Sequence, residues 1–384
     1  MSANIQMPRI MRIGGGVISQ LAEVLVDLNL KQPLLLTDEF IVSQGYVQIV
    51  VESMQSIGME CTVFSGCIPD PTTDSVAQAQ SILMSVNADC LIALGGGSTI
   101  DTAKAVAVLA VNLGKMSDYK APHNVSRGLP VIAIPTTAGT GSEATSVAVI
   151  TDTETQEKMM CKGLGLLPVA ALIDFELTMT MPYRLTADTG IDSLCHAMEA
   201  FVSRKANTFT DSIALAAMES IYTMLPTACA EPDNRVARES MMLAATQGGI
   251  SFSNASVTLI HGMSRPIGAL FHVPHGLSNA MLLPEVTAFS VAAARPRYAQ
   301  CARQMGITDN RNDQFAIEAL VDGLHKLKSD LSVPTPKDYG IDEKLWFSSI
   351  ELMAKQALES GSPANNPRIP SEREIVDLYQ TIWH

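Results

Sequence analysis

The chain has 384 residues, 47% of them hydrophobic and 17% charged, and a formal net charge of −13 at pH 7. This length predicts two domains with sizeable cores, and the composition excludes a largely disordered chain. Because an acidic surface repels phosphate groups, the charge argues against a nucleic-acid or anionic-membrane partner.

The 7 cysteines are scattered along the chain and form no C-x-x-C pair, which is typical of reduced thiols. The N-terminal stretch MSANIQMPRI lacks the long apolar segment of a secretory signal. No run of about 18 apolar residues suggests a membrane span. We therefore expect a cytoplasmic protein.

Short apolar runs alternate with amphipathic stretches in the first part of the chain, beginning with PLLLTD at 33–38. This alternation predicts a parallel sheet covered by helices, because parallel strands need long crossover connections and are buried on both faces. We expect an α/β domain over residues 1–182. The further predicted strands are 61–64, 89–95, 129–135, 147–151 and 170–174, and the predicted helices lie within 42–58 and 73–87.

The pattern changes after Pro182, where long stretches with helical periodicity follow one another without strand-like runs between them. This predicts an all-helical domain over residues 183–384. The predicted helices are 185–204, 209–224, 233–251, 255–270, 277–305, 313–329 and 343–359.

A glycine-rich turn, GGGSTIDTAK, connects the predicted strand 89–95 to an amphipathic helix. Gly95, Gly96 and Gly97 allow a phosphate to approach the backbone closely, and the helix that begins near Ser98 offers free N–H groups to a pyrophosphate. The turn does not have the G-x-G-x-x-G spacing, so a purely structural role remains the alternative. The earlier cluster Gly14–Gly16 shows no flanking strand and helix of this kind, and we interpret it as a turn.

A second polar loop, PTTAGTGSEAT at 135–145, also follows an apolar strand. Open α/β sheets bind ligands at loops that follow the carboxyl ends of strands, so both loops are candidates for a dinucleotide site. Asp38 ends the strand PLLLTD, where a carboxylate can accept hydrogen bonds from an adenosine ribose and repel a 2′-phosphate. We expect preference for NAD over NADP; the alternative is an ordinary aspartate in a turn.

Histidines are concentrated in two short stretches that suggest a metal site. The chain has 7 histidines, and four of them, at 196, 261, 272 and 275, lie in LTADTGIDSLCHAMEAF and HGMSRPIGALFHVPHG. Asp192 and His196 are four residues apart, so on a helix both side chains leave the same face. Three imidazoles and one carboxylate suit a first-row divalent cation, and ligand chemistry alone does not select one metal.

The motifs together resemble the iron-containing (group III) alcohol dehydrogenase family, over roughly residues 10 to 380. The resemblance implies a dehydroquinate synthase-like fold, in which a Rossmann-like N-terminal domain binds the dinucleotide and a helical C-terminal domain binds the metal. It implies Fe²⁺, with Zn²⁺ as the alternative. The implied metal ligands are Asp192, His196, His261 and His275, and the implied NAD contacts include Asp101, Thr136, Thr137, Ser142 and Lys162.

By this resemblance we expect an NAD-dependent enzyme that interconverts a small primary alcohol or diol with its aldehyde, using the metal as a Lewis acid. A homodimer or larger homo-oligomer is the expected assembly. One alternative is an oxo-acid reductase of the same fold, of the maleylacetate reductase or hydroxyacid–oxoacid transhydrogenase type. Another is a non-catalytic sensor of NAD or metal.

Two residues are candidates for a role in substrate binding or catalysis. Many relatives carry a histidine four residues after the third ligand, whereas this chain has Arg265 there. Arginine cannot act as a base at neutral pH, so Arg265 either binds an anionic substrate group or forms an ion pair. His272 is the alternative proton-transfer residue, unless it is a structural histidine.

Overall fold

The computed structural model describes residues 2–384. They form two compact units, Asn4–Thr180 and, for the most part, Met181–His384. The first unit contains a parallel sheet with helices, and the second is helical. This confirms the predicted fold class.

The first unit is built on a six-stranded parallel sheet with the strand order β1-β8-β5-β4-β2-β3. Its four inner strands are buried along their whole length, because helices cover both faces, and this burial explains their uninterrupted apolar sequences. The strands are β1 (Ile10–Ile13), β2 (Pro33–Leu36), β3 (Thr62–Phe64), β4 (Cys90–Gly95), β5 (Val131–Pro135) and β8 (Ala170–Ile173).

The assignment of residues 147–151 to the parallel sheet is wrong. These residues form β6 (Val147–Thr151), which pairs antiparallel with β7 (Lys158–Lys162) in a separate two-stranded sheet. Burial alternates along β6, as in a strand with one covered face, and the apolar sequence VAVIT conceals this alternation. The Asp152 side chain closes the connection by accepting hydrogen bonds from the Glu154 N–H and the Thr155 hydroxyl.

The statement that Gly14–Gly16 lacks a flanking strand and helix is also wrong. The cluster follows β1 and precedes a 3₁₀ turn, Val17–Gln20, that leads into α1 (Leu21–Asp27). Asp174 accepts hydrogen bonds from the backbone N–H groups of Gly16 (3.0 Å) and Ile18 (3.1 Å). These N–H groups are satisfied within the protein, which supports the interpretation of the cluster as a turn.

The other helices of the first unit connect the strands. Helix α5 is the best covered of them, since ten of its residues are buried. The helices are α2 (Glu39–Ser43), α3 (Tyr46–Gln55), α4 (Thr73–Ser85) and α5 (Gly97–Val111).

The second unit contains nine α-helices in its described residues. The single helix predicted over 277–305 is two helices, because the chain leaves the helical conformation at Ala294 (φ −144°), and Pro296 lies in the first turn of the second helix. The last helix of the chain was not predicted. The helices are α6 (Tyr183–Val202), α7 (Thr208–Ala230), α8 (Arg235–Ala255), α9 (Leu259–Phe271), α10 (His275–Ser290), α11 (Arg295–Gln304), α12 (Asp313–Asp330), α13 (Glu343–Glu359) and α14 (Glu372–Thr381).

Helix α7 is long and apolar enough to cross a bilayer by length and composition alone. It packs against α6 and α8 within the helical unit. A core helix of a globular domain passes the same test, so this helix is weak evidence for a membrane span.

Candidate metal and dinucleotide sites

Four potential metal ligands converge in the helical unit. Asp192 and His196 lie one turn apart on α6, His261 lies on α9, and His275 is the first residue of α10. One ligand atom from each of these side chains lies within 4.8 Å of every other. The first three side chains are buried, whereas that of His275 is 49% exposed, so the cluster reaches the surface on its side.

The Oδ1 atom of Asp192 lies among the three imidazoles. It is 3.5 Å from Nε2 of His261 and 3.8 Å from Nε2 of both His196 and His275. In this arrangement the carboxylate and three ring nitrogens face a common point. Ligand atoms around a tetrahedral Zn²⁺ or Fe²⁺ are about 3.4 Å apart, given bonds of about 2.1 Å, so the spacing fits such a cation.

His275 is presented by a helix and not by a loop. Pro274 is the N-cap of α10, and His275 opens the helix. The first turn of this helix lies close to α6: a Cβ on Gly276 would lie only 2.6 Å from the backbone oxygen of Asp188. Glycine at 276 therefore allows α10 to bring His275 up to the ligands on α6.

Asn279, one turn after His275 on α10, was not predicted as part of the site. Its Nδ2 lies 2.6 Å from Oδ1 of Asp192 and 3.2 Å from Nε2 of both His261 and His275. The Nδ2 group of the amide therefore lies among three of the four potential ligands. The buried Oδ1 of Asn279 and the buried Nδ1 of His196 have no hydrogen-bond partner among the described residues.

A carboxylate that contacts one of the potential ligands was also not predicted from the sequence. Glu199 is buried on α6, and its Oε2 lies 2.5 Å from Nδ1 of His261. Its Oε1 accepts hydrogen bonds from the Thr258 hydroxyl and the Ile260 N–H, both at 2.7 Å. The signal in the sequence is its spacing, since Glu199 follows His196 by three positions and shares its helix face.

The surroundings of the site shift the pKa values of its ionisable groups in different directions. Burial favours the neutral form of Asp192, but the imidazoles of His196, His275 and His261 outweigh it and hold the pKa of Asp192 well below its usual range. Burial lowers the pKa of His196 to about 3. Burial also disfavours a charged His261, but Glu199 and Asp192 raise its pKa to about 9. Cation binding therefore competes with a proton at His261.

The two candidate catalytic residues occupy different surroundings. Arg265 lies on α9 one turn after His261 and is partly buried; burial lowers its pKa against the pull of the Glu199 carboxylate. His272 is exposed and ends α9 in a left-handed conformation (φ 54°). Among the His, Cys, Asp and Glu residues that the structure describes, His272 is not a member of the convergent group.

The candidate dinucleotide residues lie at one edge of the parallel sheet. Leu36 of β2 is in register with Ala93 of β4, and Gly95 of β4 is in register with Pro135 of β5. The segments that follow these three neighbouring strands therefore lie at the same carboxyl edge of the sheet. The strand order also reverses between β2 and β4, which is where such sheets bind ligands. These segments begin at Thr37, which precedes Asp38, at Gly96 and at Thr136.

The two polar loops are in direct contact. The Thr136 N–H donates to the Gly95 carbonyl at 3.0 Å, and a Cβ on Gly96 would lie 3.5 Å from the Thr137 side chain. Gly96 is the N-cap of α5 and has no side chain of its own to cap the helix. The N–H groups at the start of α5 are therefore not capped by the N-cap residue.

Asp101 and Ser142 bind each other and a buried lysine. Ser142 Oγ donates to Asp101 Oδ1 at 2.7 Å, and Lys104 Nζ donates to Ser142 Oγ at 2.7 Å and to Thr145 Oγ1 at 3.0 Å. Lys104 also donates to the Val147 carbonyl, which completes its three donors. Burial lowers the pKa of Lys104 to about 8.

The remaining candidates lie at more open positions. Ser98 is the second residue of α5 and is partly exposed. Lys162 is the exposed last residue of β7. Asp38 is the N-cap of α2, and its Oδ1 accepts a hydrogen bond from the Ile41 N–H at 2.9 Å, so capping uses one of its oxygens.

Comparisons with known proteins show which family the chain belongs to. Residues 8–175 match the family described as iron-containing alcohol dehydrogenase, and residues 186–383 match the Fe-containing alcohol dehydrogenase family, C-terminal. The chain is 34% identical to the NAD-dependent methanol dehydrogenase of Bacillus methanolicus over 378 residues, 98% of either chain.

Solved structures extend this similarity to the fold. A 1,3-propanediol oxidoreductase has a TM-score of 0.95, 31% identity and coverage of 100% of both chains. Sulfoacetaldehyde reductase from Bifidobacterium kashiwanohense, in complex with NAD⁺, has a TM-score of 0.90, 29% identity and coverage of 100% of this chain and 99% of that one. The chain belongs to the iron-containing alcohol dehydrogenase family of oxidoreductases.

Proposed function

We propose that the protein is an NAD(H)-dependent dehydrogenase that interconverts small primary alcohols or diols with their aldehydes. The observation that carries this proposal is the convergence of Asp192, His196, His261 and His275 within 4.8 Å in a member of this family. Relatives named methanol dehydrogenase and 1,3-propanediol oxidoreductase support the substrate class.

The four convergent side chains would hold Fe²⁺, with Zn²⁺ as the alternative, and their donor set fits either cation. When bound, the cation supplies Lewis-acid polarisation of the alcohol or aldehyde oxygen, and the nicotinamide supplies or accepts the hydride. Asp192 stays ionised and contributes the negative charge of the donor set. The buried rings of His196 and His261 keep water away from one side, and the exposed side at His275 admits the substrate.

The glycine-rich turn and α5 would bind the dinucleotide. The N–H groups at the start of α5, including that of Ser98, suit the pyrophosphate, and Asp38 suits the adenosine ribose. Thr136, Thr137 and Lys162 are proposed to contact the cofactor directly. Asp101 and Ser142 are proposed to act differently: their mutual bond and their link to Lys104 support a role in shaping the loop.

We also propose a cytoplasmic homodimer or larger homo-oligomer. The acidic surface and the scattered thiols support the location. The strand β1 supports self-association, because it is an edge strand whose outer side offers unpaired backbone groups to a second copy.

A cofactor-oxidation assay tests the proposed activity. Protein loaded with Fe²⁺ should oxidise NADH in the presence of small aldehydes, and elemental analysis should find one metal per chain. Absence of turnover on a panel of aldehydes and keto acids would favour the non-catalytic sensor. Turnover that survives complete metal removal would contradict the role assigned to the four ligands.

Reduction of an anionic carbonyl compound, such as an oxo-acid, is the second candidate function. It is favoured by Arg265, whose guanidinium lies on the same helix face as His261. The similarity to a protein named sulfoacetaldehyde reductase also supports it. A substrate panel that pairs neutral with anionic aldehydes distinguishes the two candidates.

A further inference from the structure

Glu199 is a buried carboxylate that contacts the potential metal ligand His261 and the start of α9. Its two oxygens make three hydrogen bonds: Oε1 accepts from the Thr258 hydroxyl and the Ile260 N–H, and Oε2 lies 2.5 Å from Nδ1 of His261. The side chain is 2% exposed. Two donors converge on Oε1 and a ring nitrogen lies against Oε2, an arrangement that stabilises an ionised carboxylate.

This contact determines which nitrogen of His261 carries the proton. A carboxylate can only accept, so the short Oε2–Nδ1 contact requires a hydrogen on Nδ1. A ring that binds a cation is neutral and has only one N–H, so a proton held on Nδ1 leaves the lone pair of Nε2 for the cation. Nε2 is the nitrogen that faces Asp192, at 3.5 Å.

We infer that Glu199 is a positioning residue of the metal centre, which holds His261 in the tautomer that can bind the cation; this inference rests on the metal site of the proposed function. Carboxylate–histidine–metal arrangements orient the ring and strengthen it as a ligand. Glu199 and Asp192 together also carry two negative charges, which balance a divalent cation in a buried place.

Glu199 has a second task that any test must separate from the first. Its Oε1 satisfies N–H and hydroxyl groups at the start of α9, where Thr258 is the N-cap without a side-chain capping bond. A residue that only capped α9 would affect the stability of the protein and leave the tautomer of His261 unchanged. The two oxygens thus predict two separable effects.

The substitution Glu199→Gln divides these tasks. An amide has one oxygen, so if that oxygen remains with Ile260 and Thr258, the NH₂ group faces Nδ1 of His261. Nδ1 must then accept, and the ring proton moves to Nε2, where it blocks the cation. The matched control is Thr258→Val, which removes one bond to Oε1 and leaves the bond between Glu199 and His261 intact.

The experiment measures Zn²⁺ affinity by competition with a chromophoric chelator in the full-length protein. We expect Glu199→Gln to weaken the affinity about 10- to 100-fold, as for other partners of metal ligands, while Thr258→Val changes it less than about 3-fold. Wild-type affinity in Glu199→Gln, or equal losses in both variants, would overturn the inference. Because the experiment measures Zn²⁺ binding, its outcome does not depend on whether the protein turns over an alcohol.

A second measurement does not depend on how the variants fold. In wild-type protein with ¹⁵N-labelled histidine and bound Zn²⁺, His261 should show a protonated Nδ1 with the strongly downfield proton of a short hydrogen bond. A His261 ring that carries its proton on Nε2, or that binds the cation through Nδ1, would overturn the inference.

Discussion

The Nζ of Lys104 lies 2.7 Å from the Oγ of Ser142, and this contact joins α5 to the polar loop that follows β5. Lys104 is completely buried, with Asp101 at 3.6 Å as its nearest carboxylate. The same helix begins at the glycine-rich turn. The lysine therefore ties together the two segments that we propose to enclose the dinucleotide.

Replacing Lys104 with Met should destabilise the protein and weaken NAD⁺ binding. The change leaves the Ser142 and Thr145 hydroxyls without a donor and Asp101 without its buried counter-charge, which typically costs about 3–5 kcal/mol. Urea unfolding and calorimetric titration with NAD⁺ measure the two effects. Lys326→Met is the control, since Lys326 forms an exposed i,i+4 pair with Asp330, and it should change stability by less than about 0.5 kcal/mol. Unchanged NAD⁺ affinity in Lys104→Met would contradict the role in shaping the loop.

The stability of the protein should depend on pH through Lys104. Burial lowers its pKa to about 8, against an ordinary value of 10.5 that holds for the unfolded chain. Between these values the unfolded chain holds a proton that the folded protein has released, so this group makes the unfolding free energy rise with pH. The stability difference between wild type and Lys104→Met should therefore widen from pH 7.5 to 9.5, by at most about 1.4 kcal/mol per pH unit. Urea midpoints at both pH values measure it, and a narrowing difference would show the opposite pKa shift.

The sequence was sufficient for the inner sheet and the ligands but not for their partners. β2 and β4 are continuous apolar runs because both of their faces are covered, so both strands could be predicted from the sequence. β1, with sequence IMRI, is an edge strand that is nowhere fully buried, and its pattern resembles that of a loop. Asp192 and His196 share a helix face at a spacing that is visible in the sequence.

The partner of Glu199 and the burial of Lys104 could not be predicted from the sequence. Glu199 has a suggestive spacing from His196, but its partner His261 lies 62 positions away, and only the tertiary structure places the start of α9 beside Glu199. A lysine inside an amphipathic helix is normally predicted to be exposed. Its burial depends on residues 142–147 folding over it, which local periodicity does not encode.

Removal of the metal should abolish activity and lower the thermal stability. A ligand present at 100 times its Kd stabilises the folded state by about 2.7 kcal/mol, so chelation should lower the melting temperature by several degrees. Dialysis against a chelator, followed by addition of Fe²⁺ or Zn²⁺, measures both properties. The variant Asp192→Asn should show the lower melting temperature of the chelated protein with and without added metal. Metal-dependent stabilisation of this variant would place the cation elsewhere.

Asp38 should determine the preference for NADH over NADPH. Asp38→Asn removes the charge that repels a 2′-phosphate but retains a side-chain oxygen that can cap α2, so the stability should stay within about 0.5 kcal/mol. We expect the ratio of kcat/KM with NADPH to that with NADH to rise at least about 10-fold. Glu39→Gln, in the first turn of the same helix, controls for a general loss of negative charge. An unchanged ratio in Asp38→Asn, or a clear wild-type preference for NADPH, would mean that Asp38 is only a helix cap.

Arg265 should distinguish the two candidate functions. If its guanidinium binds an anionic substrate group, Arg265→Ala should raise KM for an aldehyde that carries a carboxylate or sulfonate by about 10- to 100-fold, because a charged hydrogen bond contributes about 1.5–3 kcal/mol. KM for a neutral aldehyde of similar size should change little. Arg265→Lys should recover only part of the loss, since lysine retains the charge but not the planar pair of donors. Equal losses on neutral and anionic aldehydes would instead identify Arg265 as part of an ion pair near Glu199, whose carboxylate is its electrostatic neighbour.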